Sequence, residues 1–562
     1  MSPLILNGNR RSLTAGKSLF EFADELNVRV PTSCGRSGDC HECIVEIKQG
    51  ADSLTPTTDA ESFLRGAYRL ACQAKVVNVD ALIEFNVLRR QPRILTRGTR
   101  RDFQPAPLAV RRDSGVWFTG NVSPLPPVIT QGDGSGPVIP ERLDDYSGAI
   151  YGIAMDAGTT TVVMNFVDLE RCEVVYTASF ENPQRFGGSD IMRRISYDGG
   201  KFHKELQAVM LSSVNFEIGE FCRSLKTRRR QIFEVVVVGN ATMRDIFFGL
   251  DVQPIGQKPY NSVTEDEFRA GKRTTTAINV KASALGIRVH PRANVYGGPL
   301  IASHVGADTA ADIVALGLED ATEPFILVDV GTNTEVVVGT KDRMLAASCP
   351  AGPAFEGGEV KYGMPGYDGA IEKVKIGQDG VAYETIGGTP PQGICGSGLV
   401  DLLAELRRTN TMNELGAFPR GVNEFQVVPS HGITISRKDV SALAQAKAAN
   451  YCGQSILTRK YGLPQDKFAK LYLAGGFANY IDIQNAVDIG FIANVPIHRI
   501  VKVGNASLEG ATVMLLSGPL RRKIEEFVKT IEHVELETTP DFFDFFVDGC
   551  QFKPMALPVT PS

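Results

Sequence analysis

The stretch Cys34-Gly35-Arg36-Ser37-Gly38-Asp39-Cys40-His41-Glu42-Cys43 decides how the N-terminal part of the chain folds. A fourth cysteine, Cys72, follows after 28 residues, so the spacing is C-x5-C-x2-C and then C. Four thiolates at nearly this spacing hold a [2Fe–2S] cluster in plant-type sites. The small residues between them let a loop wrap tightly, so that backbone N–H groups can approach the cluster sulfurs. The pattern predicts that Cys34, Cys40, Cys43 and Cys72 are cluster ligands.

Two alternatives remain for these thiols, a structural zinc site and buried cysteines without a common ligand. A zinc ribbon usually has two C-x2-C knuckles, and here only Cys40 and Cys43 form one. The other six cysteines are scattered along the chain, and we interpret them as buried thiols. Ten cysteines with four of them clustered suit a reducing cytosol better than a disulfide scaffold.

The residues around the cysteines predict a small β-grasp domain at 1–90. Residues 4–15 read as two strands around the hairpin signal Asn7-Gly8, and a capping box at Ser18 and Glu21 begins a helix. Residues 43–48 alternate as a strand, and the segment 68–79, which carries Cys72, ends in another. Residues 3–88 resemble the plant-type and adrenodoxin-type ferredoxins, and the x5 gap is nearer to the adrenodoxin type.

Length and composition place the chain among multidomain globular proteins. Its 562 residues, of which 43% are apolar, suffice for about three or four domains. The net charge of −5 gives no sign of nucleic acid binding. Apolar runs stay shorter than the roughly 18 residues of a membrane span, and the N-terminus lacks the pattern of a signal peptide. We therefore expect no membrane segment and a cytoplasmic location.

Residues 91–148 are predicted to be a linker. They are rich in Pro and Gly, and such composition buries too little apolar surface to offset the entropy of ordering. Eight arginines lie between Arg89 and Arg112. We interpret them as part of a solvated linker, and the alternative is a docking strip for an acidic partner that salt would screen.

From residue 149 on, strands alternate with helices and one unit occurs twice. A buried strand runs into Asp156-Ala157-Gly158-Thr159-Thr160-Thr161, and a second strand follows. The unit returns 173 residues later (156 to 329) as a strand, Asp329-Val330-Gly331-Thr332-Asn333-Thr334-Glu335, and a strand. The chain is therefore predicted to be a multidomain α+β and α/β protein, with duplicated halves at 149–322 and 323–548 and a tail at 549–562.

These two motifs have the chemistry of a phosphate clamp. Glycine in a turn lets the backbone approach phosphate oxygens, and the N–H groups and Thr hydroxyls donate to them. Each Asp can hold Mg²⁺ through waters, because Mg²⁺ gives up its waters reluctantly. We predict catalytic roles for Asp156 and Asp329, and nucleotide contacts for Gly158, Thr159, Thr160, Thr161, Gly331, Thr332 and Asn333. Two ordinary hairpin turns are the alternative interpretation.

Three further glycine-containing stretches lie where a nucleotide cleft would need them. Gly239-Asn240 follows a buried strand and enters a helix. Gly396-Ser397-Gly398 opens the helix predicted at 399–407, whose N-terminus offers free N–H groups to an anion. Gly475-Gly476-Phe477 follows a strand and leaves room for a base or ribose. Each alone is as well explained by a tight packing turn, but together they indicate nucleotide binding.

Taken together, these stretches resemble the reductive activators of corrinoid proteins. That family joins an N-terminal [2Fe–2S] ferredoxin domain to an actin-like ATPase of the acetate and sugar kinase, Hsp70 and actin (ASKHA) superfamily. The stretches that carry the resemblance are 156–161, 182–184, 238–243, 305–309, 329–335, 351–357, 393–398, 473–481 and 503–506. They are spread over nearly all of the chain except 95–148 and the residues after about 548.

The resemblance implies a repair function. Corrinoid methyltransferases work through Co(I), which occasionally oxidises to inactive Co(II), and the activator returns it to Co(I) with ATP. The implied cofactors are the [2Fe–2S] cluster, ATP and Mg²⁺. The implied partners are a corrinoid protein in its Co(II) form, a low-potential electron donor that the sequence does not identify, and a second copy of the chain in a homodimer.

Two features depart from the family pattern. Members often carry a longer folded segment between the ferredoxin and ATPase parts, where this chain has the Pro/Gly-rich stretch. The second motif reads G-T-N-T-E instead of the expected G-T-N-G-E, so Thr334 replaces a glycine. This replacement puts in doubt how closely that turn approaches phosphate.

Three other functions compete with this interpretation. Activators of radical dehydratases share the ATPase fold, but they hold a [4Fe–4S] cluster between two subunits, whereas the four cysteines here lie in one domain. A small-molecule kinase would need a carboxylate base in the cleft, for which Asp308 or Glu356 could serve. A binding protein of the actin or Hsp70 type with a redox sensor is the third, because fold alone does not decide function.

Overall fold

A computed structural model of the chain describes residues 3–88, 98–120, 140–476 and 478–556. Its α-helices are α1 (Leu19–Glu25), α2 (Ile191–Asp198), α3 (Glu205–Ser224), α4 (Ala241–Phe248), α5 (Val263–Arg269), α6 (Ala282–Leu285), α7 (Ala307–Leu316), α8 (Gly396–Arg408), α9 (Arg437–Tyr461), α10 (Ile483–Asp488), α11 (Ala506–Leu516), α12 (Gly518–Phe527) and α13 (Phe542–Gly549). Within these described ranges, every helix is too short or too polar to traverse a lipid bilayer.

The N-terminal sheet belongs to the cysteine-bearing part of the chain. Its strands are β1 (Pro3–Leu6), β2 (Asn9–Ser12), β3 (Ile44–Gln49), β4 (Tyr68–Leu70) and β5 (Ile83–Val87), in the order β2-β1-β5-β3-β4. The first strand pairs antiparallel with β2 and parallel with β5. α1 begins at the predicted capping box, in which the Ser18 hydroxyl accepts from Glu21 N–H and the Glu21 carboxylate accepts from Ser18 N–H. The predicted ferredoxin-like β-grasp fold is confirmed, and we call residues 3–88 the ferredoxin domain.

The segment predicted to be a linker is partly folded. β6 (Ala109–Arg112), β7 (Gly115–Phe118) and β8 (Glu141–Asp144) form a small antiparallel sheet. Leu108, Phe118 and Leu143 are buried, and Ala106 N–H donates to Leu516 O over 2.7 Å. The prediction that this stretch buries too little apolar surface to become ordered is therefore wrong for residues 98–120 and 140–148. Its high Pro and Gly content concealed short strands that pack against the larger domain.

The arginines of this segment divide into two groups. Arg89, Arg90, Arg93 and Arg97 lie outside the described residues. Arg100 pairs with Glu509, Arg101 with Glu319 and Asp320, and Arg111 with Glu170. Since these partners belong to the same chain, Arg100, Arg101 and Arg111 help to fasten the segment to the duplicated domain.

The first half of the duplicated domain is built on a sheet in the order β11-β10-β9-β12-β14-β13. Its strands are β9 (Tyr151–Ala157), β10 (Thr161–Asp168), β11 (Glu173–Glu181), β12 (Ile232–Val238), β13 (Ile278–Lys281) and β14 (Asn294–Gly297). β9 and β10 form the predicted hairpin, and β12 lies parallel to β9 on the other side. Residues 158–160, which we call the first phosphate turn, therefore lie at one end of a central pair of strands.

The second half repeats this arrangement in the order β24-β23-β15-β16-β17-β25. The strands from here to the C-terminus are β15 (Phe325–Val330), β16 (Thr334–Thr340), β17 (Arg343–Cys349), β18 (Ala370–Gly377), β19 (Gly380–Thr385), β20 (Gly393–Ile394), β21 (Glu424–Val428), β22 (Ile433–Ser436), β23 (Lys470–Ala474), β24 (Ile500–Gly504) and β25 (Glu532–His533). β15 and β16 form the second hairpin, and β23 lies parallel to β15. Five strands of each sheet share one order, and the sixth strand is added at opposite edges, β13 beside β14 and β25 beside β17. This repeat confirms the predicted duplicated ASKHA-like fold, and residues 331–333 form the second phosphate turn.

The described part of the predicted tail is packed against the second half. Phe552 and Met555 are buried, and Phe552 N–H donates to Glu414 O over 2.8 Å. The buried ammonium of Lys447 donates to the backbone oxygens of Gly549 and Gln551. A tail that starts at 549 is therefore wrong for residues 549–556, which complete the core around α9.

Candidate functional site

The four predicted ligand cysteines come together as two pairs in the ferredoxin domain. Cys43 Sγ and Cys72 Sγ are 3.4 Å apart and buried. Cys34 and Cys40 are half-buried in the loop, and Cys40 lies close enough to Cys34 to lower its pKa. Gly38 has a φ of +98°, and a Cβ there would lie 3.0 Å from the amide nitrogen of Gln73. The loop therefore needs a glycine at this point to bring the two pairs together.

Hydrogen bonds favour the thiolate form, which binds iron, at Cys34 and Cys72. Burial raises the pKa of Cys34, but hydrogen bonds from Ser37 and Cys40 outweigh it and lower the pKa to about 5. The hydrogen bond with Cys43 lowers the pKa of Cys72 to about 7, and the same bond raises the pKa of Cys43. Gln73 Nε2 also donates to Cys72 Sγ over 3.4 Å.

The arrangement of the four thiols fits a two-iron cluster. Two pairs of thiols match a cluster in which each of two irons takes two cysteines.

The two phosphate turns face each other across a cleft with a cavity of about 200 Å³. Thr160 Oγ1 and Thr332 Oγ1 lie 3.1 Å apart. Both hydroxyls donate to Glu356 Oε2, over 2.8 Å from Thr160. One carboxylate thus joins the two halves of the domain at the point where a phosphate chain would enter.

The first phosphate turn is held from behind by side chains of the first half. Asn182 donates its side-chain amide to Gly158 O over 2.8 Å and its backbone N–H to Thr160 O over 2.8 Å. The buried guanidinium of Arg194 donates to Thr159 O over 2.6 Å, and Asn240 donates to Thr159 Oγ1 over 2.9 Å. The carbonyl oxygens of the turn are thus hydrogen-bonded on the side away from the cleft. Its N–H groups remain available to a ligand in the cleft.

Acidic side chains line the floor of the cleft between the turns. Asp156, Asp308, Asp329 and Glu335 all line the cavity, and the fully buried Asp312 lies beside them. Asn505 donates to Asp156 Oδ2 over 3.1 Å, and Ser507 donates to Asp312 Oδ1 over 3.0 Å. So many carboxylates in one place repel each other unless protons or a cation neutralise them.

The pKa values of these carboxyl groups reflect burial and mutual repulsion. Burial raises the pKa of Asp156 to about 7, against the hydrogen bond from Asn505, and Asp308 and Asp329 add to the rise. Burial together with the charge of Asp329 raises the pKa of Asp308 to about 7. Burial also raises the pKa of Asp329 and Glu335. The cluster is therefore suited to oxygen-seeking cations such as Mg²⁺.

Most of the predicted nucleotide residues line this cleft. The predicted residues in its wall are Asp156, Gly158, Thr159, Thr160, Thr161, Asn240, Asp329, Gly331, Thr332, Asn333, Gly396, Ser397, Gly475 and Gly476. Gly396 begins α8, as an anion site at a helix N-terminus requires. A Cβ on Gly475 would lie 2.2 Å from Val330 O, so only glycine fits beside the second turn.

Three predicted nucleotide residues are not part of the observed wall. Gly239 and Gly398 do not line the cleft, because each is a packing glycine whose Cβ would overlap a backbone oxygen, that of Ala157 or of Ile371. Phe477 lies outside the described residues. Thr334 also lies outside the lining, buried in β16 opposite Val330, so the departure from the family pattern does not touch the cleft.

Sequence reasoning gave no role to Glu335, Asp312 or Ser507. Glu335 ends the second motif, so its place two residues after Asn333 was the available signal. Asp312 lies one helical turn after Asp308 on α7, and that spacing puts both on one face. Ser507 had no signal of its own. Asp308 and Glu356, considered as kinase bases, do line the cleft.

Comparison with known proteins matches three segments of the chain to family models. Residues 4–77 match the 2Fe–2S iron–sulfur cluster binding domain. Residues 151–321 match the RACo middle region, and residues 323–562 match the C-terminal domain of RACo, the ASKHA domain.

Relatives similar to most of the chain bear consistent names. The corrinoid activation enzyme RamQ of Eubacterium limosum is 33% identical over 430 residues, which are 72% of this chain and 70% of that protein. The [Co(II) methylated amine-specific corrinoid protein] reductase of Methanosarcina barkeri is 23% identical over 446 residues, covering 73% of this chain and 78% of that protein. A solved reductive activator for corrinoid, iron–sulfur protein covers 99% of both chains at 27% identity, with a TM-score of 0.68.

Proposed function

Because this chain belongs to the family of corrinoid activation enzymes, we propose that it is an ATP-hydrolysing reductase of a corrinoid protein. In this role it passes one electron to Co(II) and so regenerates Co(I) for methyl transfer. The observation that carries the proposal is a pair of phosphate turns facing each other in a chain that also bears four paired cysteines. The names of its relatives support the corrinoid acceptor.

Cys34, Cys40, Cys43 and Cys72 hold the [2Fe–2S] cluster. When bound, the cluster supplies the single electron that the acceptor cobalt takes up. The loop residues around it contribute hydrogen bonds to the sulfur ligands, such as the one from Gln73 to Cys72. Such hydrogen bonds are among the features by which proteins set cluster potentials.

In the cleft, the chain's own groups bind and position the nucleotide. The N–H groups and hydroxyls of Gly158–Thr161 and Gly331–Asn333 clamp its phosphates from two sides. Asp156 and Asp329 hold Mg²⁺ through waters, which also removes the repulsion among the carboxylates. The N-terminus of α8 at Gly396 faces the same cavity, and Gly475 and Gly476 leave space for the ribose or base. Phosphoryl transfer to water requires mainly this positioning and charge stabilisation.

ATP is needed because the electron transfer is uphill. Plant-type clusters have reduction potentials of about −400 mV, and reduction of Co(II) requires a lower reduction potential. For one electron, each 59 mV or so changes the equilibrium about tenfold. Hydrolysis in the cleft offsets this difference through a change in how the protein docks on its partner. We further propose a homodimer in the cytoplasm and a separate low-potential donor. We also propose domain limits at 1–90 and 149–322, with the second half of the duplicated domain running from 323 through the packed residues 549–556.

A reduction assay tests this proposal. The reconstituted full chain is mixed with a Co(II) corrinoid protein from a methyltransferase system and a low-potential reductant, with and without Mg²⁺ and ATP. Co(I) absorption is expected only with ATP, and an Asp329→Asn variant is expected to lose it while keeping the cluster spectrum. Full Co(I) formation without ATP would contradict the proposed role of the nucleotide. ATP hydrolysis without any Co(I) would favour another acceptor, as in dehydratase activation, or a kinase.

A further inference from the structure

The ferredoxin domain is seated on the first half of the ATPase part through its cluster loop. His41, which lies between two ligand cysteines, contacts Glu205 at the start of α3, with 2.6 Å between Nδ1 and Oε1. The His41 ring stacks on Phe63 at 4.0 Å between centroids. At the edge of this contact, Arg29 donates to Glu220 over 2.7 Å.

Phe63 is the apolar centre of this contact. It is 2% exposed and meets Phe186 edge-on at 5.4 Å between centroids. The hydroxyl of Tyr197 on α2 donates to Phe63 O over 2.7 Å. Phe63 therefore packs against a surface formed by the 3₁₀ turn Pro183–Gly187 and by α2. We call this surface the ferredoxin seat.

The ferredoxin seat is built from the same segment that holds the first phosphate turn. Asn182, which caps the 3₁₀ turn, bonds both Gly158 O and Thr160 O. Arg194, on α2 one turn before Tyr197, bonds Thr159 O. Each carbonyl oxygen of residues 158–160 is thus tied to the segment 182–194 that contacts Phe63. A movement of the turn is transmitted to the seat through a few direct hydrogen bonds.

The two halves are also joined beside the seat. The Glu181 carboxylate accepts a hydrogen bond from the Tyr367 hydroxyl of the second half. It also forms an ion pair with Arg185, whose Nη1 lies 2.7 Å from Glu181 Oε2. Its backbone N–H donates to Leu88 O, at the end of the ferredoxin domain, over 3.2 Å. With the bridge of Thr160, Thr332 and Glu356, this contact holds the cleft shut across the place where phosphates would lie.

We propose that the ferredoxin seat is a nucleotide-controlled interface, from which a nucleotide in the cleft releases the ferredoxin domain. This inference rests on the proposed function, because it needs a nucleotide in that cleft. Phosphates that enter must displace Glu356 from Thr160 and part the two threonine hydroxyls. The first turn then shifts together with Asn182 and Arg194, and the surface under Phe63 changes. Release frees the cluster loop, whose inner edge is covered in the seated form, to face the corrinoid partner.

Thermodynamic linkage gives this proposal a second, reciprocal consequence. If the nucleotide weakens the seat by a given factor, the seated form must bind nucleotide more weakly by the same factor, so a variant that weakens the seat strengthens nucleotide binding by up to that factor. Tyr197→Phe removes only the hydroxyl that bonds Phe63 O and keeps the ring that packs on Phe186. Tyr383→Phe makes the same chemical change at an exposed position on β19 and serves as the matched control.

Hydrogen exchange of the cluster-loaded full chain tests the proposal directly. Exchange is measured in 61–66, 183–187 and 158–160 with Mg²⁺ alone and with Mg²⁺ plus adenylyl imidodiphosphate. Protection of 158–160 together with faster exchange in 61–66 and 183–187 is expected. Unchanged or slower exchange at the seat, with 158–160 protected, would overturn the inference but leave the proposed function intact. Absence of protection at 158–160 would overturn both.

Nucleotide affinity of the variants provides the independent check. Tyr197→Phe is expected to bind adenylyl imidodiphosphate about fivefold more tightly than wild type, at the lower end of typical coupling between sites. Tyr383→Phe is expected to match wild type. Equal or weaker binding by Tyr197→Phe, with its cluster spectrum intact, would contradict the coupling. Arg29→Ala, at the rim of the contact, repeats the test with a variant that leaves the core of either domain unchanged.

Discussion

Replacing Asp156 with Asn is expected to stabilise the nucleotide-free protein while abolishing its nucleotide binding. The substitution removes one carboxylate from the acidic cleft with almost no change in shape, and its amide oxygen can still accept the hydrogen bond from Asn505. Asp308 and Asp329 lie close enough to raise the pKa of Asp156. The variant therefore removes a repelled charge together with a predicted partner of Mg²⁺.

The size of the gain follows from the pKa of Asp156, which burial raises from 3.8 to about 7. One pKa unit is worth about 1.4 kcal/mol, so the charged form costs up to about 4 kcal/mol at pH 8. A carboxyl group with a raised folded pKa contributes its full stability below pH 3.8 and loses it as pH rises through about 7. The advantage of Asn should therefore shrink to about 2 kcal/mol at pH 5. Solvent in the cleft screens part of the charge, so these are upper values.

Native-state hydrogen exchange measures this difference in the right place. Amides of β9 and β15 report the free energy of opening of the ATPase part, without assuming that this multidomain chain unfolds in two states. Asp320→Asn is the control, because Lys523 and Arg101 lower the pKa of that surface carboxyl and its loss should bring no gain. Equal stability of Asp156→Asn and wild type at pH 8, or a gain that does not shrink at pH 5, would refute the reasoning.

Three further predictions concern the ferredoxin domain and the second hairpin. Cys43→Ala should lose the visible [2Fe–2S] absorption and bound iron, as measured by spectroscopy and iron analysis, and an unchanged spectrum would contradict its assignment. Glu61→Gln breaks the buried ion pair with Arg69, in which the charged atoms are 2.7 Å apart, and should lower the free energy of unfolding by about 3–5 kcal/mol. Denaturant unfolding followed by cluster absorption measures this loss, and the exposed Asp59→Asn control should lose little. Thr334→Gly should lower the free energy of unfolding by about 1 kcal/mol or more, because glycine loses more backbone freedom on folding. Its nucleotide affinity should change less than about twofold, and a larger change would show that this position does act on the cleft.

Features that depend on neighbours in sequence were predictable. The capping box at Ser18 forms as expected, because the Ser18 side chain bonds the backbone N–H three residues away. The hairpin motifs around Asp156 and Asp329 were equally clear, since strand, glycine turn and strand follow one another. The repeat of this unit also made the duplicated fold predictable, because similar sequences bury similar faces.

Features that depend on distant segments escaped prediction. The strands β6–β8 are short and lie among Pro and Gly residues, so their apolar side chains stand out only once α12 and its neighbours are in place. Gly239 and Gly398 have the same local signature as the cleft glycines, yet tight packing explains them. Asp312 and Ser507 reach the acidic cluster from different helices, which local patterns do not relate.

The amino-acid sequence by itself determined the four-cysteine pattern, the two strand–turn–strand motifs and the duplicated fold, because each is set by the order of residues along the chain. Only the tertiary structure decided which groups meet across the cleft. Thr160 and Thr332 are 172 residues apart in sequence but 3.1 Å apart in space, and Glu356 joins them. It also decided where the ferredoxin domain sits, since Phe63 packs on Phe186 through contacts that no local periodicity encodes. Such contacts depend on how whole sheets and helices pack. That packing depends on residues throughout the chain and not on local sequence.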